Sequence, residues 1–204
     1  RLRALRYQLN PHMLMNSLTA ISSLSRRAPE QIPAVIQNLS SILHASLKPP
    51  TGLTWSLGQE LNLARSLVAL EQVRFDEQLN FSVSAEPVLL NCRIPEMLLQ
   101  PLVENAIKYC TGATQSPKLR ITVLSENDML IIRVVNTFEH HDGVDQKQGF
   151  SIGHANIRQR LELTYGSNAR LHFCVSGALA IAEIRLPTSI ESASNDQPSL
   201  SDYR

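Results

Sequence analysis

Three stretches of this sequence set reactive or phosphate-binding residue types at regular spacing. The first is Tyr7-Gln8-Leu9-Asn10-Pro11-His12-Met13-Leu14-Met15-Asn16, where a histidine follows a proline and an amide stands one helical turn further on. Proline removes one backbone donor and crowds the preceding turn, so the predicted helix is kinked at Pro11 and the His12 imidazole is lifted off its surface. With an ordinary pKa of about 6.5, imidazole is a usable nucleophile at neutral pH. The second stretch is Leu99-Gln100-Pro101-Leu102-Val103-Glu104-Asn105-Ala106-Ile107-Lys108-Tyr109. On a helix, Asn105 and Lys108 share one face. An amide oxygen suits magnesium, and the lysine adds a point charge for the same phosphates. The third is Gly149-Phe150-Ser151-Ile152-Gly153-His154-Ala155-Asn156-Ile157-Arg158-Gln159-Arg160-Leu161, where glycines before a helix let backbone amides approach an anion.

Each pattern alone is common on ordinary helices and loops; their order along one chain is not. Other phosphate-binding arrangements are excluded. There is no GxxxxGK[ST], and no strand feeds the glycines within a βαβ unit. The remaining histidines, His44, His140, His141, His154 and His172, do not pair with cysteines or carboxylates at zinc-ligand spacing.

The elements that must position these residues follow from hydrophobic spacing. Leu2, Leu5, Leu9, Leu14, Leu18, Ile21 and Leu24 recur at steps of three and four, which predicts a helix with one apolar stripe. A shorter helix is predicted through Val35, Ile36, Leu39, Ile42, Leu43 and Leu47, then a loop over 48–52. Ser56-x-x-Gln59 has the form of a capping box opening a longer helix through Leu57, Leu61, Ala64, Leu67, Leu70 and Phe75. After Leu79 the period changes to two. Strands are predicted over 80–84, 119–124 and 129–135, with a pair around Gly177, and the last two of the first three flank a turn at Glu126-Asn127-Asp128. Pro95 stands where a helix can begin, and another helix is predicted from about Ala155 to Tyr165. The polar segment 137–148 reads as a mobile loop, and the Ser/Asp/Asn/Pro-rich end as a disordered tail. The fold class is therefore α+β: a helical module over 1–79, an α/β domain over 80–187 and a tail over 188–204.

Composition narrows the function classes. The 204 residues carry 19 Lys+Arg against 18 Asp+Glu, and a net charge of +1 lacks the basic excess that direct nucleic-acid binding requires. Cys92, Cys110 and Cys174 are an odd, widely spaced set, which predicts free thiols in a reducing compartment. No run reaches eighteen apolar residues. The chain opens on Arg1 within an apolar repeat, so it is read as a fragment of a longer protein, with a membrane anchor expected upstream.

Taken together, these residues resemble the LytS-type sensor histidine kinases, whose ATP-binding domain shares the Bergerat (GHKL) fold of gyrase and MutL. The resemblance rests on Gln8-Leu9-Asn10-Pro11-His12 with Asn16, on Leu70-Glu71-Gln72-Val73-Arg74-Phe75 in the following helical region, on Ile94-Pro95 through Ala106 as an N-box, and on 149–161 as a G-box with its helix. It covers roughly residues 5–187. It implies a helical dimerisation and phosphoacceptor module followed by an ATP-binding α/β sandwich. His12 would accept the γ-phosphoryl group of ATP, with Asn16 beside it. Asn105 would ligate Mg²⁺ with Glu104 next to it, Lys108 would touch phosphate, and Tyr109 would pack on the nucleoside. Gly149 and Gly153 would border the lid over the phosphates, with Asn156 on the helix that follows. The phosphoryl group would pass to an aspartate of a response regulator, by family analogy one with a LytTR-type domain, and the kinase would act as a homodimer. Related ATPases place a glutamate four residues before the asparagine to activate water; Pro101 stands there, which implies slow hydrolysis.

The sequence departs from that family in its adenine motif. Asn136-Thr137-Phe138-Glu139-His140 replaces Asp-x-Gly-x-Gly, and Ser151 replaces the middle glycine of the G-box. Asn136 can still accept a hydrogen bond from an amino group, without a carboxylate's charge assistance. This is similar to the AlgZ/FimS branch and implies weakened ATP affinity. The alternative function is a degenerate kinase that docks a response regulator, or removes its phosphate, without using ATP.

Overall fold

The computed structural model describes residues 11–47, 54–74, 79–110, 116–138 and 151–188. The N-terminal stripe before Pro11, the loop at 48–52, Phe75, most of the polar loop with Gly149, and the tail beyond Thr188 lie outside the described residues, as does any kink before Pro11. Helix α1 spans Pro11–Arg27. After a 3₁₀ turn at Pro29–Gln31, α2 runs over Ile32–Leu47. Strand β1, Thr54–Ser56, leads directly into α3, Leu57–Arg74. The junction is a reciprocal capping box: the Ser56 N–H donates to Gln59 Oε1 at 2.9 Å, and the Gln59 N–H donates to Ser56 Oγ at 3.2 Å.

Beyond α3 the chain forms β2 (Asn80–Ala85), a 3₁₀ turn at Pro87–Asn91, β3 (Arg93–Pro95) and α4 (Gln100–Cys110). Then follow β4 (Lys118–Glu126), β5 (Met129–Thr137), α5 (Ser151–Tyr165), β6 (Arg170–Ser176) and β7 (Leu179–Pro187). The five-stranded sheet has the order β2-β4-β5-β7-β6. Its β2–β4 pair is parallel and its other pairs are antiparallel. A parallel neighbour requires a crossover, and the segment that supplies it contains α4. One row across the sheet, Val83, Ile121, Val134, Ala182 and Phe173, shows the register that turns apolar side chains to one face. Helices cover that face: Leu102, Val103, Ala106 and Ile107 of α4 and Ile157 and Leu161 of α5 join a core continuous with Leu57, Leu61, Ala64, Leu67 and Val68 of α3. Each fully buried Leu or Ile there contributes roughly 1.5–3 kcal/mol. The Gln72 side chain ties the end of α3 to β2 by donating to the Leu79 carbonyl at 2.8 Å.

Two elements differ from the sequence expectation. Pro95 does not begin a helix; it ends β3, which pairs with β1 through Thr54–Pro95, Trp55–Ile94 and Ser56–Arg93. Met97 then takes a positive φ of 54°, and α4 begins only at Gln100. Helix α5 begins at Ser151, earlier than Ala155, so Gly153 lies in its first turn and not in a loop before it. No helix among the described residues is long and apolar enough to cross a membrane.

Candidate functional site

Helix α4 carries four of the residues singled out in the sequence, Glu104, Asn105, Lys108 and Tyr109. Its buried stripe, Leu102, Val103, Ala106, Ile107 and Cys110, faces the core, and this orients the intervening positions away from it. Glu104 and Asn105 are half-buried and Lys108 is exposed. Gln100 donates from Nε2 to Glu104 Oε1 at 2.9 Å, one turn along. Burial holds the Glu104 carboxyl above its ordinary value, and the Gln100 bond offsets part of that. The Lys108 ammonium lies 5.4 Å from the centre of the Tyr109 ring, within cation–π range.

The last turn of α4 meets the end of β5. Tyr109 and Phe138 pack with ring centres 6.2 Å apart at 56°. Phe138 is buried, and its N–H donates to the Ala178 carbonyl at 2.8 Å, which anchors the chain just past β5 to the β6–β7 turn. Two residues earlier, Asn136 is a polar side chain on the helix-covered face of the sheet, only 6 % exposed. Its register partners are Leu119 and Ala180. The Asn136 amide donates to the Thr137 carbonyl at 2.8 Å, which leaves its oxygen as the acceptor. The fold thus brings the α4 residues to the strand end that bears Asn136, an adjacency not evident from positions 31 residues apart in sequence.

The other residues stand on separate elements. His12 and Asn16 lie one turn apart in α1, which packs on α2 and α3. Gly153 and exposed Asn156 lie at the start of α5. Gly149 is outside the described residues. Among the described residues no cluster of three His, Cys, Asp or Glu side chains could hold a metal ion.

Sequence reasoning missed two participants. Phe138 supplies the aromatic partner of Tyr109. Glu60, in the first turn of α3, is 1 % exposed and accepts the Leu99 N–H at 2.8 Å, at the entry to α4. Burial pushes its carboxyl up to about 7, against the pull of the Leu99, Met97 and Leu98 amides and the Arg160 charge. A signal for Glu60 exists: it falls inside the buried helical stripe, three residues after Leu57 and four before Ala64. The thiol of Cys110, buried beneath α4, is pushed up to about 12 by desolvation and is chemically quiet. The cysteines are all free.

Comparison with known proteins bears on this arrangement. Residues 1–79 match the histidine kinase family. The sensor histidine kinase YesM of Bacillus subtilis is 31 % identical over 177 residues, covering 84 % of this chain and 30 % of that protein. The sensor histidine kinase YpdA of Escherichia coli is 32 % identical over 184 residues, covering 83 % of this chain and 31 % of that protein. The chain therefore spans about a third of the length of these relatives. The fold resembles the nucleotide-free catalytic domain of histidine kinase ThkA, with TM-score 0.52, 15 % identity, and coverage of 68 % of this chain and 97 % of that one. It also resembles ThkA solved in complex with response regulator protein TrrA, with TM-score 0.50, 14 % identity, and coverage of 89 % of this chain and 60 % of that one.

Proposed function

The chain belongs to the histidine kinase family, and from that premise we propose that it binds Mg-ATP against α4, phosphorylates itself on His12 and passes the phosphoryl group to an aspartate of a response regulator. The observation that carries the reading is the convergence of Glu104, Asn105, Lys108 and Tyr109 on one helix whose end packs, through Phe138, beside buried Asn136. These groups fit the ligand: an amide oxygen and a carboxyl suit a hard cation, an exposed ammonium suits phosphate, and an aromatic ring with a buried amide oxygen suits a purine. Bound magnesium would supply charge neutralisation at the phosphate oxygens.

In this mechanism Lys108 draws the terminal phosphates toward α4, and Asn105 and Glu104 hold the position beside them. Tyr109 and Asn136 orient the base. The neutral imidazole of His12 attacks the γ-phosphorus; a nitrogen–phosphorus bond forms, the bond to the ADP oxygen breaks, and the imidazole proton leaves to solvent. A loose transition state asks the protein for little beyond placement and charge. Pro101, four residues before Asn105, offers no base to activate water, so transfer to His12 outcompetes hydrolysis. The response regulator as acceptor is supported by ThkA, a protein of the same fold solved with one.

We read the active form as a homodimer, supported by Met15 and Leu18 on α1 and Ile36 and Leu47 on α2, large apolar side chains that are more than half exposed. We also read the chain as the cytoplasmic part of a longer membrane-anchored sensor, consistent with its spanning about a third of sensor-kinase relatives.

Incubation with γ-³²P-ATP and Mg²⁺ tests the reading. The expected label is acid-labile, alkali-stable, lost in His12→Gln and reduced about a hundredfold or more in Asn105→Ala. Acid-stable or His12-independent label overturns it. The Asn136 amide, neutral and already bonded to its neighbour, favours one second reading: regulator docking or dephosphorylation without ATP. Absence of label at millimolar ATP in a folded dimer selects that alternative.

A further inference from the structure

Glu60 is a buried ionisable group that the mechanism above does not use. One of its oxygens, Oε2, accepts the Leu99 N–H at 2.8 Å, and the neighbouring Met97 and Leu98 amides favour the charged form. Its other oxygen, Oε1, is buried with no hydrogen-bond partner. Arg160 of α5 favours its charge, and the Arg160 guanidinium is itself held by donating to the Glu96 carbonyl at 2.8 Å. One carboxylate therefore sits where the first turn of α3, the entry to α4 and the middle of α5 meet. Helix caps are ordinarily short polar side chains adjacent in sequence and open to water. This one comes from another helix, 39 residues away, and its burial is costly.

We propose that Glu60 is a positioning residue: by gripping the amides that lead into α4, it fixes the helix whose following turns present Glu104, Asn105 and Lys108 to the nucleotide. The inference rests on the nucleotide reading of α4. Asn105 lies six residues beyond Leu99, about 9 Å along the helix axis. A tilt of roughly ten degrees about that end moves Asn105 by about 1.5 Å, more than a phosphate-binding arrangement tolerates.

The test compares Glu60→Gln, which keeps an oxygen for the Leu99 amide, with Glu60→Ala, which leaves that amide buried and unmet. Two quantities are read in the full chain at a temperature where circular dichroism shows each variant folded: the Kd for Mg-ATP and the hydrogen exchange of the α4 amides. The expected result for alanine is a Kd about tenfold weaker or more and faster exchange confined to α4. Glutamine should restore both to within about threefold of wild type. If alanine does not fold, Glu60→Asp, whose carboxylate is withdrawn by one methylene, carries the same comparison. A purely structural role predicts an unchanged Kd for the folded fraction; that result, or failure of glutamine to rescue, overturns the proposal. If wild-type protein takes up no Mg-ATP at millimolar concentration, the nucleotide reading falls and the assignment of Glu60 to it falls too. The exchange measurement then still decides whether Glu60 fixes α4.

Discussion

At the scale of single residues, Glu60 makes the folded chain sensitive to pH in an unusual direction. An unfolded glutamate loses its proton near 4.5, whereas this one keeps it to about 7. Between those values the folded state holds a proton that the unfolded state has released, so its contribution to stability declines as pH rises from 4.5 to 7 and is level above that. At 1.36 kcal/mol per pH unit the decline is on the order of 3 kcal/mol. Glu60→Gln should remove it: urea unfolding at pH 5 and pH 8 should show the variant gaining on wild type at the higher pH. Equal differences at the two values would contradict the assignment. Glu183 behaves oppositely; burial alone would raise its carboxyl, but Arg133 and Arg185 on either side outweigh that and lower it. The candidate α4 residues were legible through the order of the motifs along the chain, since Asn105 and Lys108 on one helix face are by themselves an ordinary pattern. Glu60 carried only half a signal: its place in a leucine stripe marks it as buried, but its partner, 39 residues on, is set by the fold. Asn136 entered the sequence reading only through a motif it largely fails to match, and its burial beside Tyr109 and Phe138 depends on strand register.

At the scale of elements, periodicity located the helices and strands that pack by one face, because burial of a stripe or of alternate residues is what stabilises them. The Ser56–Gln59 capping box was readable because its two bonds are local. The β1–β3 ribbon was not, for strands of three residues carry no period and their pairing spans the whole of α3. The β4–β5 hairpin combines both cases. Its turn residues, Asn127 and Asp128, adopt φ of 50° and 60°, the left-handed pair that suits a two-residue hairpin. The Asp128 carbonyl also accepts bonds from Thr188, N–H at 2.9 Å and hydroxyl at 3.0 Å. Asp128→Val should lose about 1–2 kcal/mol, since a β-branched side chain meets the backbone there, while Asp128→Gly should be neutral or slightly stabilising. Thermal unfolding of the two variants distinguishes this turn geometry from one with ordinary negative φ, in which glycine would be the more damaging of the pair.

At the scale of the whole molecule, the exposed apolar residues of α1 and α2 lie outside the core that the sheet and its helices share. If Leu18 and Ile36, 57 % and 51 % exposed, lie in the proposed dimer contact, replacing both with glutamate should shift the sedimentation coefficient from dimer to monomer. The melting temperature of the sheet domain should move little, because neither residue belongs to its core. A variant that remains dimeric would place the contact elsewhere. The crossover between β2 and β4 has a different consequence, for the history of the sequence. Helix α4 is at once the link that a parallel pair cannot do without and the support for the candidate nucleotide residues. One of its faces is committed to the core, and the rest to Glu104, Asn105, Lys108 and Tyr109. Almost no position on it is free to drift. A lineage losing that role should therefore diverge at Glu104, Asn105 and Lys108 and around Asn136, and keep the buried stripe of α4 for as long as it keeps the fold.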